Sequence, residues 1–212
     1  NNTRKVTNTN NKERHKQRHI KNIPGIKYEP SKWNKDKMVK LSHNCYSYFL
    51  DLQSNRVRQD CVDKHNEYKI KRKQNKTKKK KYIPCGKPQP GAAAGLSPVK
   101  QGEYTCEMMD QRIRTDNPSI YKTNMKKGCN KDEYMGAMVL KPKDTYHFYR
   151  MNKNGEWSHK MGATKVTRLD ADGKRIKDPR KSNRNFGSLK YKQFCHYYCI
   201  PYNRNKKRMA LM

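Results

Sequence analysis

Hydrophobic positions gather in the second half of the chain, in short runs separated by turn residues. Tyr134–Leu140, Thr145–Met151, Glu156–Met161, Lys165–Leu169 and Phe194–Ile200 are apolar or aromatic stretches of strand length. Asn154-Gly155 and Asp172-Gly173 lie between them, and such pairs favour tight turns, so the pattern predicts an antiparallel sheet. Upstream, the spacing predicts helices over Asn44–Gln53 and Thr105–Arg114, the second burying Met108, Met109 and Ile113. Between the helices runs Gly86-Lys87-Pro88-Gln89-Pro90-Gly91-Ala92-Ala93-Ala94-Gly95, a Pro/Gly loop unsuited to a helix interior or central strand. Helices first and sheet afterwards predict an α+β domain. The longest apolar stretch, near Met135–Leu140, falls far short of the ~20 residues of a membrane helix, so no membrane span is expected.

Charge changes the picture more than length does. The chain has 212 residues, enough for one ordinary domain with tails, but 51 Lys+Arg stand against 18 Asp+Glu, a formal charge of +33. Self-repulsion on that scale implies neutralising partners: acidic protein surfaces, nucleic acid or phospholipid headgroups. Residues 1–30 read as a basic, Asn-rich arm, residues 31–201 as the core, and 202–212 as a basic C-terminal tail. A polybasic insertion at about 62–84 interrupts the core. Nine of the thirteen residues from Lys69 to Lys81 are Lys or Arg, with Lys71, Arg72, Lys73 and Lys78-Lys79-Lys80-Lys81 prominent. Like charges at this density predict an exposed loop that a counter-charged surface would order. The same residues suit a nuclear-localisation signal. Arg204, Lys206, Lys207 and Arg208 form a third cluster. The opening Asn1-Asn2-Thr3 shows neither an initiator Met nor an apolar signal core, as in a processed or partial chain. Usage leans to Lys, Asn and Tyr, the residues of AT-rich codons.

Seven cysteines, Cys45, Cys61, Cys85, Cys106, Cys129, Cys195 and Cys199, leave at least one unpaired within the chain. Cys195-His196 and Cys199 offer soft ligands, but partners at zinc-site spacing are missing and alternate strand side chains point apart; no metal and no cofactor is expected.

Cys45 opens the first predicted helix, with His43 or Asn44 as its cap, and a helix start lowers a thiol pKa. Downstream, Tyr146-His147-Phe148-Tyr149-Arg150 and Trp157-Ser158-His159-Lys160 flank a turn. A three-residue loop of Lys153, Asn154 and left-handed Gly155 would set 152 opposite 156 and point His147 and His159 the same way; a two-residue turn would oppose them. Cys45 as nucleophile, His147 as general base and His159 as its orienter would make an activated thiol. Gln89 on the Pro/Gly loop is a candidate oxyanion donor beside the Cys45 amide.

A cysteine opening a helix with two histidines on consecutive strands resembles the NlpC-like branch of papain-like cysteine peptidases. Asn44-Cys45-Tyr46-Ser47-Tyr48, Pro88-Gln89-Pro90-Gly91, Tyr146-His147-Phe148-Tyr149-Arg150, Gly155-Glu156-Trp157-Ser158-His159-Lys160-Met161-Gly162 and Phe194-Cys195-His196-Tyr197-Tyr198-Cys199-Ile200-Pro201 together look like a poorly characterised family of bacteria and large DNA viruses. The match spans about Ser42 to Pro201 apart from the Lys-rich insertion. It implies a papain-like core and a cysteine peptidase or amidase centred on Cys45. Phe49, where that pattern has a small alanine, departs from it.

Three functions follow. The first is structural: a minor capsid component of a large DNA virus, located in the virion, or in host cytoplasm or nucleus during assembly, with basic segments clamped on acidic surfaces such as capsid proteins. The second is the hydrolase. The third is sequence-independent nucleic-acid packaging, with Tyr121, Tyr134, Tyr146 and Tyr149 as stacking platforms.

Overall fold

The computed structural model describes residues 25–74 and 84–211, so Lys78–Lys81 and most of the arm lie outside the described residues. Helices α1 (Pro30–Asn34), α2 (Lys37–Ser42), α3 (Cys45–Phe49), α4 (Asn55–Gln74) and α5 (Cys106–Asp116) come first. Strands β1 (Tyr121–Thr123), β2 (Glu133–Lys141), β3 (Thr145–Met151), β4 (Trp157–Lys160), β5 (Val166–Thr167), β6 (Asn185–Phe186), β7 (Leu189–Lys190) and β8 (Gln193–Pro201) follow. Six strands form one antiparallel sheet in the order β1-β8-β2-β3-β4-β5, and β6-β7 is a separate hairpin. The architecture is α+β.

Local chemistry sets the helix starts. Asp36 accepts hydrogen bonds from the Met38 and Val39 amides at α2, Asn44 from Tyr46 and Ser47 at α3, and Thr105 from Met108 at α5. In α5 Met109 and Ile113 are buried as the spacing predicts, while Met108 is half-buried.

Two apolar clusters sandwich the sheet. Against one face, α3 and α5 bring Tyr46, Phe49, Met109 and Ile113 onto Tyr134, Met138, Phe148 and Ile200. Met135, Val139, Tyr149, Trp157 and Tyr197 lie on the other face, covered by Ile176 and Tyr191 from the segment between β5 and β8. Period-two alternation makes this division, since neighbours along a strand point to opposite faces.

Three disulfides join α4 to the segment before the Pro/Gly loop (Cys61–Cys85), α5 to β8 (Cys106–Cys195) and the β1–β2 connection to β8 (Cys129–Cys199), and Cys45 alone stays free. In a chain this charged the three pairs supply cross-links where hydrophobic area is scarce.

Three expectations need correction. The exposed loop anticipated from Lys69 onward is helical through Gln74, because α4 propagates from a capped start: Ser54 Oγ accepts from the Val57 amide. Asp60, Asp63 and Glu67 dilute its positive charge, Lys64 pairs with Asp60 at 3.0 Å, and Lys71, Arg72 and Lys73 occupy the last turn, where the helix dipole favours cations. The C-terminal residues are not a free tail. Met209 packs on the core, and the Gln89 amide donates to the Ala210 carbonyl at 3.3 Å. Residues 25–29 of the supposed arm are docked too: Ile26 exchanges backbone hydrogen bonds of 3.0 Å with Met151 and Lys153 beside the β3–β4 turn.

Candidate functional site

The β3–β4 turn decides the register on which the histidines depend. Gly155 adopts a φ of 81°, the Asn152 amide donates to the Glu156 carbonyl at 2.8 Å, and Tyr149 pairs with His159. This is the three-residue loop, and it aims His147 and His159 to the same face.

Their rings lie at 85° to each other, with His147 Nε2 2.9 Å from His159 Nδ1 and His159 Nε2 2.9 Å from the Leu169 carbonyl. A carbonyl only accepts, so His159 Nε2 carries its proton. Burial pushes the His159 pKa down to about 4 and the His147 pKa well below the ordinary value, keeping both neutral. His159 Nδ1 is then bare and accepts from His147 Nε2–H. The lone pair of His147 is left on Nδ1, to which no described residue hydrogen-bonds. The two imidazoles are therefore assembled as a hydrogen-bonded pair. Tyr191 stacks on His147 with centroids 5.1 Å apart, and Phe186 lies 5.5 Å from His159, roofing the pair.

The thiol is another matter. Asn44 caps α3 as expected and donates from Nδ2 to the Pro88 carbonyl at 2.8 Å, drawing the Pro/Gly loop to the helix start. Cys45, however, is 6% exposed, and burial pushes its pKa up to about 12, outweighing the Phe148 amide, Lys160 and the amides of the helix start. The anticipated lowering is reversed because α3 is too short and too buried for its dipole to offset desolvation. Cys45 packs in the cluster under α3 and the His147 ring packs against Tyr149 and Tyr191; the thiol interacts electrostatically with both of those hydroxyls, yet no hydrogen bond joins Cys45 to His147 among the described residues. Gln89 takes a hydrogen bond from the Tyr146 hydroxyl on Oε1, and its Nε2 reaches the Lys87 carbonyl at 3.4 Å, so the amide is engaged locally.

Sequence reasoning missed two residues around the thiol. Lys160 is fully buried, donates to the Lys40 and Gly162 carbonyls at 2.8 and 2.7 Å, and has its pKa lowered to about 7 by burial. Asp116 holds the Pro/Gly loop: its Oδ2 accepts from the Gly91 amide at 2.7 Å and the Tyr46 hydroxyl at 3.1 Å, its Oδ1 from Ala94 at 2.9 Å. Nothing in the local pattern marks either one, since both roles arise from long-range packing.

No protein-family model matches the chain, and no solved structure does. The chain is similar to a shell protein. Insoluble matrix shell protein 1 of Ruditapes philippinarum is 25% identical over 170 residues, covering 76% of this chain and 84% of that protein. The similarity overturns the expected virion location, because that protein belongs to the shell matrix of a mollusc. Three disulfides likewise argue against the alternative of cytoplasm or nucleus, where thiols are kept reduced.

The candidate contact residues divide. Lys71 and Lys73 are exposed in the last turn of α4, as are Arg204, Lys206 and Arg208 near the C-terminus. Lys207 is not available. It is buried against the Tyr134 ring at 5.2 Å, and burial lowers its pKa to about 8. Lys78–Lys81 fall outside the described residues. Tyr134, Tyr146 and Tyr149 are buried in the two clusters and cannot stack on bases; Tyr121 donates to Glu133 at 2.7 Å. No helix of the described residues is long and apolar enough to cross a membrane. Cys61, His65 and Cys85 converge, as do Cys129, Glu133 and Cys199, but in each group the two sulfurs are joined in a disulfide and offer no thiolate to a metal.

Proposed function

We propose that this chain is a structural component of a protein assembly in an oxidising compartment, a disulfide-tied block that holds acidic partners through its exposed lysines and arginines. The similarity to Insoluble matrix shell protein 1 carries this reading, because it extends over 76% of the chain. Three disulfides and the +33 charge support it. The papain-like core is, in this reading, the rigid part, and the basic arm, α4 and the C-terminal cluster are the contacts. Lysine-rich contacts act as point charges with little preference for the anion's shape. The test is co-sedimentation of the full, oxidised chain with polyaspartate. Pelleting that fades as salt rises is expected, and a chain left in the supernatant at about 50 mM salt ends the proposal.

A second reading, the cysteine peptidase or amidase of NlpC-like type, is favoured by one observation: six cysteines are paired and the seventh is Cys45, the one at the helix start. For it to operate, α3 or the Tyr191 roof has to shift so that the thiol meets His147 Nδ1. Iodoacetamide labelling read by peptide mass spectrometry separates the cases. Labelling of Cys45 at pH 6 that is lost in His147→Ala supports the hydrolase; labelling only above about pH 9 leaves Cys45 a core residue.

A further inference from the structure

At one side of the sheet, β8 outruns its neighbour. β1 pairs Tyr121, Lys122 and Thr123 with Cys199, Tyr198 and Tyr197 and then stops, whereas β8 begins at Gln193. Burial records the step: β8 is buried from Tyr197 onward but only half-buried at Phe194, Cys195 and His196. No strand or turn hydrogen bond covers its outer edge from Gln193 to His196 among the described residues. An open cleft of about 500 Å³ follows that edge, lined by Thr123, Lys126, Arg180, Lys181, Phe194 and His196 among others. Its rim is cationic. Lys126, Arg180 and Lys181 are exposed, while the cleft's carboxylate, Asp178, is already engaged by the Tyr197 hydroxyl and the Arg180 amide. His196 Nε2 is buried without a partner.

We infer that this edge receives an extended, acidic peptide segment of a partner protein, which adds as a strand beside β8 in line with β1 and places carboxylates against Lys126, Arg180 and Lys181. The inference deepens the proposed structural role and rests on its acidic partners. An uncovered strand edge presents alternating amides and carbonyls that only another extended backbone can match. Nucleic acid and lipid headgroups would satisfy the cations but not that ladder. A second copy of this chain, or its own residues 1–24 with Arg4, Lys5, Lys12, Arg14, Lys16, Arg18 and Lys21, would bring like charge to the rim.

The probe is a fluorescein-labelled eight-residue peptide alternating Asp and Val, titrated by anisotropy into the full oxidised chain. It is compared with the same peptide N-methylated at alternate residues and with inorganic polyphosphate. Binding of the unmodified peptide is expected, with at least tenfold loss on N-methylation and in Arg180→Glu/Lys181→Glu. Hydrogen exchange of the Phe194–His196 amides should slow in the complex, and polyphosphate affinity should change less than about threefold in the variant. Equal binding of the N-methylated peptide, or unchanged exchange at Phe194–His196, overturns the inference while the structural role stands. Concentration-dependent protection of those amides without peptide overturns it in favour of a second copy. Failure of both peptide and polyphosphate to bind removes the structural role along with it.

Discussion

Gly136 is the point where α3 presses closest on the sheet. A Cβ there would lie 2.3 Å from Phe49 Cε2 and 2.6 Å from Ile200 Cδ1. Phe49, the departure from the small residue of the resembling family, is therefore matched by a missing side chain across from it, and its ring packs 4.6 Å from Phe148. Gly136→Ala should cost about 1–3 kcal/mol in urea unfolding, the range for overpacking a filled core. In the Phe49→Ala background the same substitution should cost far less, and additive losses in the double variant would disprove the contact. The buried histidines lead to a pH prediction. His43 accepts from the Ser54 amide at 3.0 Å on Nε2, and burial lowers its pKa to about 4, as for His159. Unfolded histidine titrates near 6.5. Between about pH 4 and 6.5 the unfolded chain thus binds more protons than the folded one, so stability is full above pH 6.5 and is lost as pH falls through the window, by up to roughly 3 kcal/mol per group. Urea midpoints at pH 7 and 4.5 measure this. The drop should be smaller in His159→Gln, and an equal drop would assign it to other groups.

Among the elements, α4 depends most on a single covalent tie. Only Val57 and Cys61 of its twenty residues are buried, and the bond from Cys61 to Cys85 is its covalent tie to the rest of the fold. Replacing both cysteines by Ala should lower stability by about 3 kcal/mol, as expected for opening a loop of this size, and should speed tryptic cleavage at Lys69–Lys73. Unchanged cleavage there would mean that the helix holds without the cross-link. The strands were legible in sequence because their period-two pattern and the glycine turns agree, and all five predicted runs correspond to strands; the histidine register stayed open between two turn types until the left-handed Gly155 of the fold decided it. α4 was not legible, having almost no apolar stripe; its stability comes from a cap, acidic neighbours and a disulfide that no spacing rule reveals. The short β1 was also missed, since Tyr121-Lys122-Thr123 acquires strand geometry only by lying on β8.

For the whole molecule, composition points to acidic partners but not to a place. The +33 charge indicates acidic counterparts equally well in a virus particle, a nucleus or a shell matrix, and pairing of six cysteines and the similarity to a shell protein are what discriminate. The candidate site was legible by half for a related reason. Residue types and register expose the His147–His159 pair, whereas the thiol's environment depends on how deeply α3 sinks into the core, which is a property of the assembled fold. Burial of Tyr134, Tyr146 and Tyr149 carries a further consequence for polyanion binding. With these three rings removed as stacking platforms, single-stranded and duplex DNA of equal length should bind mainly through charge. Their affinities should track phosphate density, ignore base sequence, and fall steeply between about 50 and 200 mM salt. Fluorescence titration with poly-dT, poly-dA and a mixed duplex checks this. A preference for one single strand that persists at the higher salt would show that bases are being gripped, and would return nucleic acid to the list of specific partners.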